Sequence, residues 1–435
     1  MTDIGFVRTE MLPEQEPPAS EVGAIGWMRH NLFSNWFNSA LTLLAIYFVF
    51  KVLAGLVPWI LSPTWNAGSL SECREILHAL GREGHYAGAC WGVINERWIQ
   101  LIFGFYPSEL YWRPIAAFIL LGVALAPVLF SDKVPSKLFA FTALYPFIFP
   151  WLLWGGTIWG PLSALLGFVL GWFVYTAVSK AISNLFGIIL GVLAALIWWL
   201  ALSGYFVGAM DSIAAIGIEV VESRKFGGFM LSITIGVVAI ACSLPLGIVL
   251  ALGRQSDLMI VKYLCVGFIE FIRGVPLITL LFVASTLLNL FLPPGTNFDI
   301  ILRVLIMVTL FSAAYMAEVI RGGLAALPRG QYEGADSLGL NYWQAQRLII
   351  MPQALKISIP GIVSTFIGVF KDTVLVSIIG LLDPLGLSNA IRADANWNGI
   401  VWEIYGFIAL LFFVFCFSMS RYSMYLERKL QTGHR

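Results

Sequence analysis

Residues 331–352 read QYEGADSLGLNYWQAQRLIIMP, a polar and amphipathic run between two strongly apolar stretches. Gly339 can end a helix and permit a turn. That predicts two short helical pieces, residues 332–338 and 342–350, with Pro352 admitting the next helix after a bend. Glu333 offers a charge, while Tyr342, Trp343 and Leu348 offer apolar contact. From these residues alone two readings stand: a docking element for a partner's groove, or an amphipathic helix at the lipid headgroups with Trp343 in the interface.

The surrounding composition says what medium the run interrupts. Of 435 residues, 59% are hydrophobic and 12% charged, with a mean hydropathy of +0.84; soluble domains carry roughly a quarter charged residues. The chain is therefore read as an all-α polytopic membrane protein. A net charge of +1 points to no nucleic acid, and the useful information lies in which loops hold Lys and Arg. The first 35 residues contain Glu14, Glu16, Pro17, Pro18 and Glu21 without an apolar run. No cleavable signal is expected there, and the N-terminus is placed in the cytoplasm.

A membrane helix needs about 20 mostly apolar residues. On that rule ten spans are predicted: 40–61, 114–130, 138–154, 161–178, 185–206, 229–252, 275–292, 300–320, 357–381 and 400–419. Residues 62–113 form a long loop of mixed charge with several Trp, read as a small folded cap. Lys133, Lys137, Lys180, Arg254, Lys262, Arg321, Arg329, Arg347 and Lys356 all fall in alternate short loops, and Arg421, Arg428, Lys429 and Arg435 follow the last span. The opposite loops 293–299 and 382–399 hold only Arg392. Charge bias and even parity agree in placing both termini and residues 331–352 inside. The expected organisation is a tail at 1–39, an added membrane region at 40–206 with an external loop at 62–113, an external connector at 207–228, a core at 229–428, and a tail at 429–435.

Glu333-Gly334-Ala335, then Gly339, then Ile349, Met351 and Pro352 resemble the EAA loop of ABC-importer permeases, with Gly334 in place of the first Ala and Met351 in place of Leu. Residues 270–277, EFIRGVPL, resemble the E-F-x-R-G-T-P-L segment of polar amino acid permeases, with Val275 for Thr. Residues 371–377, KDTVLVS, resemble their K-D-T-S-L-V-S stretch, with Val374 substituted. The resemblance covers about residues 229–428. It implies a type I, MetI-like five-helix permease core with about five extra N-terminal transmembrane helices, laid out like the enlarged permeases for general L-amino acids or for glutamate, glutamine, aspartate and asparagine. It further implies a bacterial inner-membrane transport subunit that performs no covalent chemistry. Its implied partners are an ATP-binding cassette ATPase dimer, a second homologous permease, a periplasmic amino-acid-binding protein and membrane lipids. ATP and Mg would sit on the ATPase, with no cofactor in this chain. None of the nine lysines follows a glycine, so the G-x-x-x-x-G-K-[ST] phosphate loop is missing, and an ATP-driven process would need its ATPase in a separate subunit.

Within the core, Lys371 and Asp372 fall inside an apolar span, where charge is costly and faces protein or a cavity. Adjacent positions diverge by about 100° on a helix. Together with Thr373 they either line the translocation pathway, meeting a zwitterionic backbone, or pair with Glu270, Arg273 or Glu318 of a neighbouring helix. A secondary amino acid transporter using the same two charges as an ion or proton relay is the competing function. A membrane scaffold recruiting partners through the external loop is the third. Arg273, beside Gly274 and Pro276, either marks a helix break at a cytoplasmic mouth or reaches the headgroups. Ser364 and Thr365 bond substrate or their own backbone. Glu318 and Arg321 read as a local pair. Cys73 and Cys90 share the external loop, where an oxidising compartment permits a disulfide, with free thiols as the alternative. His30, His78, His85 and His434 are scattered, so no metal site is expected.

Overall fold

A computed structural model of the chain describes residues 23–82, 84, 87–287 and 298–431; His85, His434, Arg435, most of the 293–299 loop and most of the N-terminal tail lie outside them. The chain divides into two compact units, Met1–Gly92 and Val93–Arg435.

In the first unit, helix Trp36–Ile60 begins at Asn35, whose side chain accepts the Asn38 N–H at 2.8 Å, satisfying an otherwise orphaned donor. No residue of this helix is buried, and a helix apolar all round suits lipid contact. The chain then turns into a compact knot. Ser62 and Thr64 hydroxyls both donate to the Ala89 carbonyl, and Trp91 stacks on Trp65 with ring centroids 5.4 Å apart. Helix Leu70–Ala79 is capped by Ser69, and a disulfide joins Cys73 to Cys90 with Cα atoms 5.8 Å apart.

The second unit is built around helix Ile300–Ala325, which packs on Gly228–Arg254 and on Met351–Asp372, the latter backed by Trp402–Gln431. Glycines allow the close approach. A Cβ at Gly247 would sit 2.7 Å from Met316, and one at Gly323 would meet the Ser358 hydroxyl and the Ala354 carbonyl. The added helices pair as Trp112–Leu129 with Leu138–Trp154, and Trp159–Ala181 with Asn184–Ile197. Arg113, fully buried, stitches this region together by donating to the carbonyls of Leu152 and Glu219, each at 2.8 Å. A two-residue antiparallel ladder, Gly156–Thr157 on Gly217–Ile218, closes the same end.

Eight described helices are long and apolar enough to cross a membrane. The ten predicted spans map onto these eight, a 17-residue apolar helix at Leu138–Trp154, and one broken pair. The broken pair corrects the predicted span 275–292. In its place Met259–Gly274 and Leu277–Leu287 meet at 101°, and residues 288–292 lie outside the described part. The cause is local: Pro276 disfavours helical geometry in the residue before it, and Val275 sits at φ −106°, ψ 131°. The predicted span 357–381 also changes character, because regular helix ends at Asp372 and tighter 3-10 turns run over Thr373–Ile379.

Candidate functional site

Residues 331–352 fold as two helical pieces about Gly339. Helix Arg329–Ser337 closes with Gly339 at φ +70°, a left-handed conformation that glycine adopts without penalty. The Gly339 N–H donates to the Asp336 carbonyl at 2.9 Å and the Leu340 N–H to that of Ala335 at 3.3 Å, a Schellman closure. Asn341 immediately starts the second piece with a capping box. Its side chain accepts the Gln344 N–H at 2.9 Å, and the Gln344 side chain accepts the Asn341 N–H at 3.0 Å, satisfying two donors reciprocally. The expected bend at Pro352 is not found. Tyr342–Ala345 runs through a π turn, Gln346–Ile350, into Met351–Asp372. The Met351 N–H reaches back to the Gln346 carbonyl, so the widened turn accommodates the proline without a break.

This segment has two faces. Ala335 and Ile350 are buried, and Ile350 packs in a cluster with Ile269, Met316, Ala317, Ile320 and Leu324, flanked by Tyr332, Ile349 and Met351. Glu333, Gly334, Gly339 and Pro352 face outward. So do Leu338, Tyr342, Trp343 and Leu348, between 52% and 72% exposed. Gln353, absent from the sequence-derived set, ties the pieces together by donating to Gln331 at 2.8 Å and to the Ile349 carbonyl at 2.9 Å. No pattern in the sequence flags that bond, since the two glutamines lie on opposite sides of the turn.

Lys371 is exposed and Asp372 half-buried, and the suggested pairing with Glu270, Arg273 or Glu318 does not form. Arg254 occupies both glutamates, at 3.0 Å to Glu270 and 2.5 Å to Glu318. Arg273 also turns toward Glu318, at 3.7 Å, instead of joining Asp372. Glu318 thus meets more than its expected local partner Arg321, which lies at 2.9 Å. Thr365 donates to the Gly361 carbonyl at 2.9 Å and Thr373 to that of Phe370 at 2.7 Å, so both hydroxyls bond their own helix; Ser364 is exposed. Among the described residues no group of His, Cys, Asp and Glu is placed to hold a metal ion.

The apolar helices and the exposed, capped segment define a polytopic helical membrane protein carrying a surface helical element between two spans. Residues 243–432 match the family described as the binding-protein-dependent transport system inner membrane component. Over 437 aligned residues, covering all of both chains, the protein is 59% identical to the glutamate/glutamine/aspartate/asparagine transport system permease protein BztC of Rhodobacter capsulatus. It is 40% identical, over 98% of its length and 99% of the relative's, to the inner membrane amino-acid ABC transporter permease protein YhdY of Escherichia coli K12. Among solved structures, an amino acid ABC transporter crystallised with histidines aligns with 46% of this chain and 91% of its own, at 30% identity and a TM-score of 0.42. The chain belongs to the family of binding-protein-dependent ABC-importer permeases, within its amino acid branch. It is a multi-pass inner-membrane transport subunit, not an enzyme, of a family that works with an ATPase and a substrate-binding protein. The full-length relationship overturns the alternative of a secondary transporter.

Proposed function

We propose that this chain is one of two homologous permeases in an importer of glutamate, glutamine, aspartate and asparagine, or more broadly of polar L-amino acids. The full-length identity to a relative named for those four amino acids supports the substrate class. Both termini lie in the cytoplasm, in line with the Lys and Arg bias of the loops. ATP and Mg are held by the ATPase dimer.

The carrying observation is the two-faced segment 331–352. One side is locked into the core through Ala335 and Ile350; the other leaves Leu338, Tyr342, Trp343 and Leu348 exposed. Exposed aromatic and aliphatic side chains on a capped, rigid element suit a partner's groove. Glu333, Gly334 and Gly339 face the ATPase, while Ile349, Met351 and Pro352 lead rigidly into the next membrane helix. Closing of the ATPases moves this segment, and the Ile350–Met316 cluster passes the motion to the central helix, shifting the core between inward-facing and outward-facing states. Lys371 and Asp372, with Ser364, line the amino acid's route. Arg273 serves the Glu318 network, and Thr365 and Thr373 shape the helix.

The test is uptake of labelled glutamate and glutamine into proteoliposomes holding this chain with its ATPase and second permease, with binding protein supplied on the outer face. ATP-driven uptake that requires the binding protein is expected. ATP-independent uptake by this chain alone would overturn the proposal.

A further inference from the structure

One carboxylate near the end of the central helix gathers the ends of two other helices. Glu318 Oε1 lies 2.5 Å from Arg254 at the end of Gly228–Arg254, and Oε2 lies 3.7 Å from Arg273 at the end of Met259–Gly274. Oε2 also takes Arg321 of its own helix, at 2.9 Å. Glu270 adds a second anion at 3.0 Å from Arg254, but its side chain is 54% exposed against 15% for Glu318. The Arg273 guanidinium lies over the Tyr315 ring, 5.6 Å from its centroid, and its Nε is buried without a partner. Arg273 therefore depends on Glu318 and Tyr315, both on the central helix, for its place. Just beyond it the chain makes the 101° bend.

Three cations around one well-shielded anion make an arrangement that loses its sense when the anion is removed, because the like charges are then left together with Glu270 as the remaining anion, beside Arg254 alone. The network also lies beside the apolar cluster that receives the 331–352 segment: Ile269, Met316, Ala317 and Ile320 of that cluster flank Glu270, Arg273 and Glu318 in sequence and share its helices.

We infer that Glu318 is a positioning residue for coupling, clamping Arg254 and Arg273 to the central helix so that movement of the 331–352 segment carries the broken helix with it. The inference rests on the proposed coupling role of that segment. Without the clamp the central helix moves while the bend stays behind, and ATP is hydrolysed without opening the path.

The experiment uses the complete importer in proteoliposomes, with ATP hydrolysis and labelled amino acid uptake measured on the same preparation. For Glu318→Gln the assembled complex is expected to hydrolyse ATP while uptake per ATP falls on the order of tenfold, within the usual range of coupling between sites. Arg254→Gln should fall in the same direction, Arg321→Gln, which removes only the same-helix pair, much less, and Glu318→Asp should restore part of the ratio. An unchanged uptake-to-hydrolysis ratio in Glu318→Gln overturns the inference. So does failure of Glu318→Gln to assemble with Arg254→Gln and Arg321→Gln behaving alike, which would make the glutamate purely structural. If the wild-type complex shows no ATP-driven uptake, the proposed function falls instead.

Discussion

Arg97 and Asp394, 297 residues apart in sequence, meet with a guanidinium nitrogen 2.9 Å from a carboxylate oxygen. Beside them the indole N–H of Trp397 donates to Glu96 at 3.0 Å. Helix Gly92–Phe103, which follows helix Trp36–Ile60, is thereby fastened to the loop before helix Trp402–Gln431. Both ionic side chains are partly exposed, so the ion pair contributes about 0.5–1 kcal/mol. Trp397 is fully buried, and its loss costs about 3–5 kcal/mol. Thermal unfolding in detergent should show a small decrease for Arg97→Ala and a large one for Trp397→Ala.

Gly334 and Gly339 should respond oppositely to alanine. A Cβ at Gly334 meets nothing within 4 Å inside a regular helix, so Gly334→Ala should stabilise the segment by about 0.8–1 kcal/mol. Gly339 also has room, but its φ of +70° penalises any Cβ, and Gly339→Ala should cost about 1–2 kcal/mol. Protease resistance of the 329–352 region compared across the two variants would reveal the opposite signs.

Asp383 lies beyond the membrane-spanning helices, fully buried, and caps helix Pro384–Arg392 by accepting the N–H groups of Gly386 at 2.9 Å and Leu385 at 3.1 Å. Burial outweighs those bonds and raises its carboxyl from 3.8 to about 6. The folded state thus holds this proton more tightly than the unfolded chain. Its contribution, about 3 kcal/mol, is fully present below about pH 4 and is lost as pH rises through about 6. Asp383→Asn keeps an acceptor for the cap and removes the buried charge. It should gain stability at pH 7 and flatten the stability profile between pH 4 and 6, read by thermal unfolding across that range.

The disulfide between Cys73 and Cys90, 17 residues apart, should contribute about 3 kcal/mol to the knot that holds it. Maleimide labelling of the purified chain is expected to spare both cysteines until reductant is added, and reduction should expose the Leu70–Ala79 region to proteolysis. Equal labelling of both without reductant would contradict the bond.

Much of the architecture is legible in the sequence because it depends on local chemistry. Apolar runs mark where membrane helices lie, and Gly339 marks the turn between the two pieces of the 331–352 segment, because its left-handed backbone is a local preference. The break beside Gly274 and Pro276 is legible in the sequence, whereas the helix Met259–Gly274 that leads into it is not. Residues 275–292 are apolar enough to count as a span, yet Pro276 carries the signal that the path turns there. Hydropathy sums over a window and is blind to one residue's backbone restriction. At Pro352 the error runs the other way, since a π turn upstream accommodates the ring and the helix continues.

The sequence by itself determined that this is a helical membrane protein, which loops carry the positive charge, and where its polar segment is punctuated. Composition and short-range backbone preferences suffice for these. Only the tertiary structure decided that Glu318 serves Arg254 and Arg273 as well as Arg321, that Lys371 is left out of that network, and that Arg97 meets Asp394. Those partnerships depend on how each helix is rotated about its axis and where it crosses its neighbours. Small residues such as Gly247, Gly323 and Gly361 set those crossings by letting particular helices approach, and the charges then pair with whatever has been brought within reach.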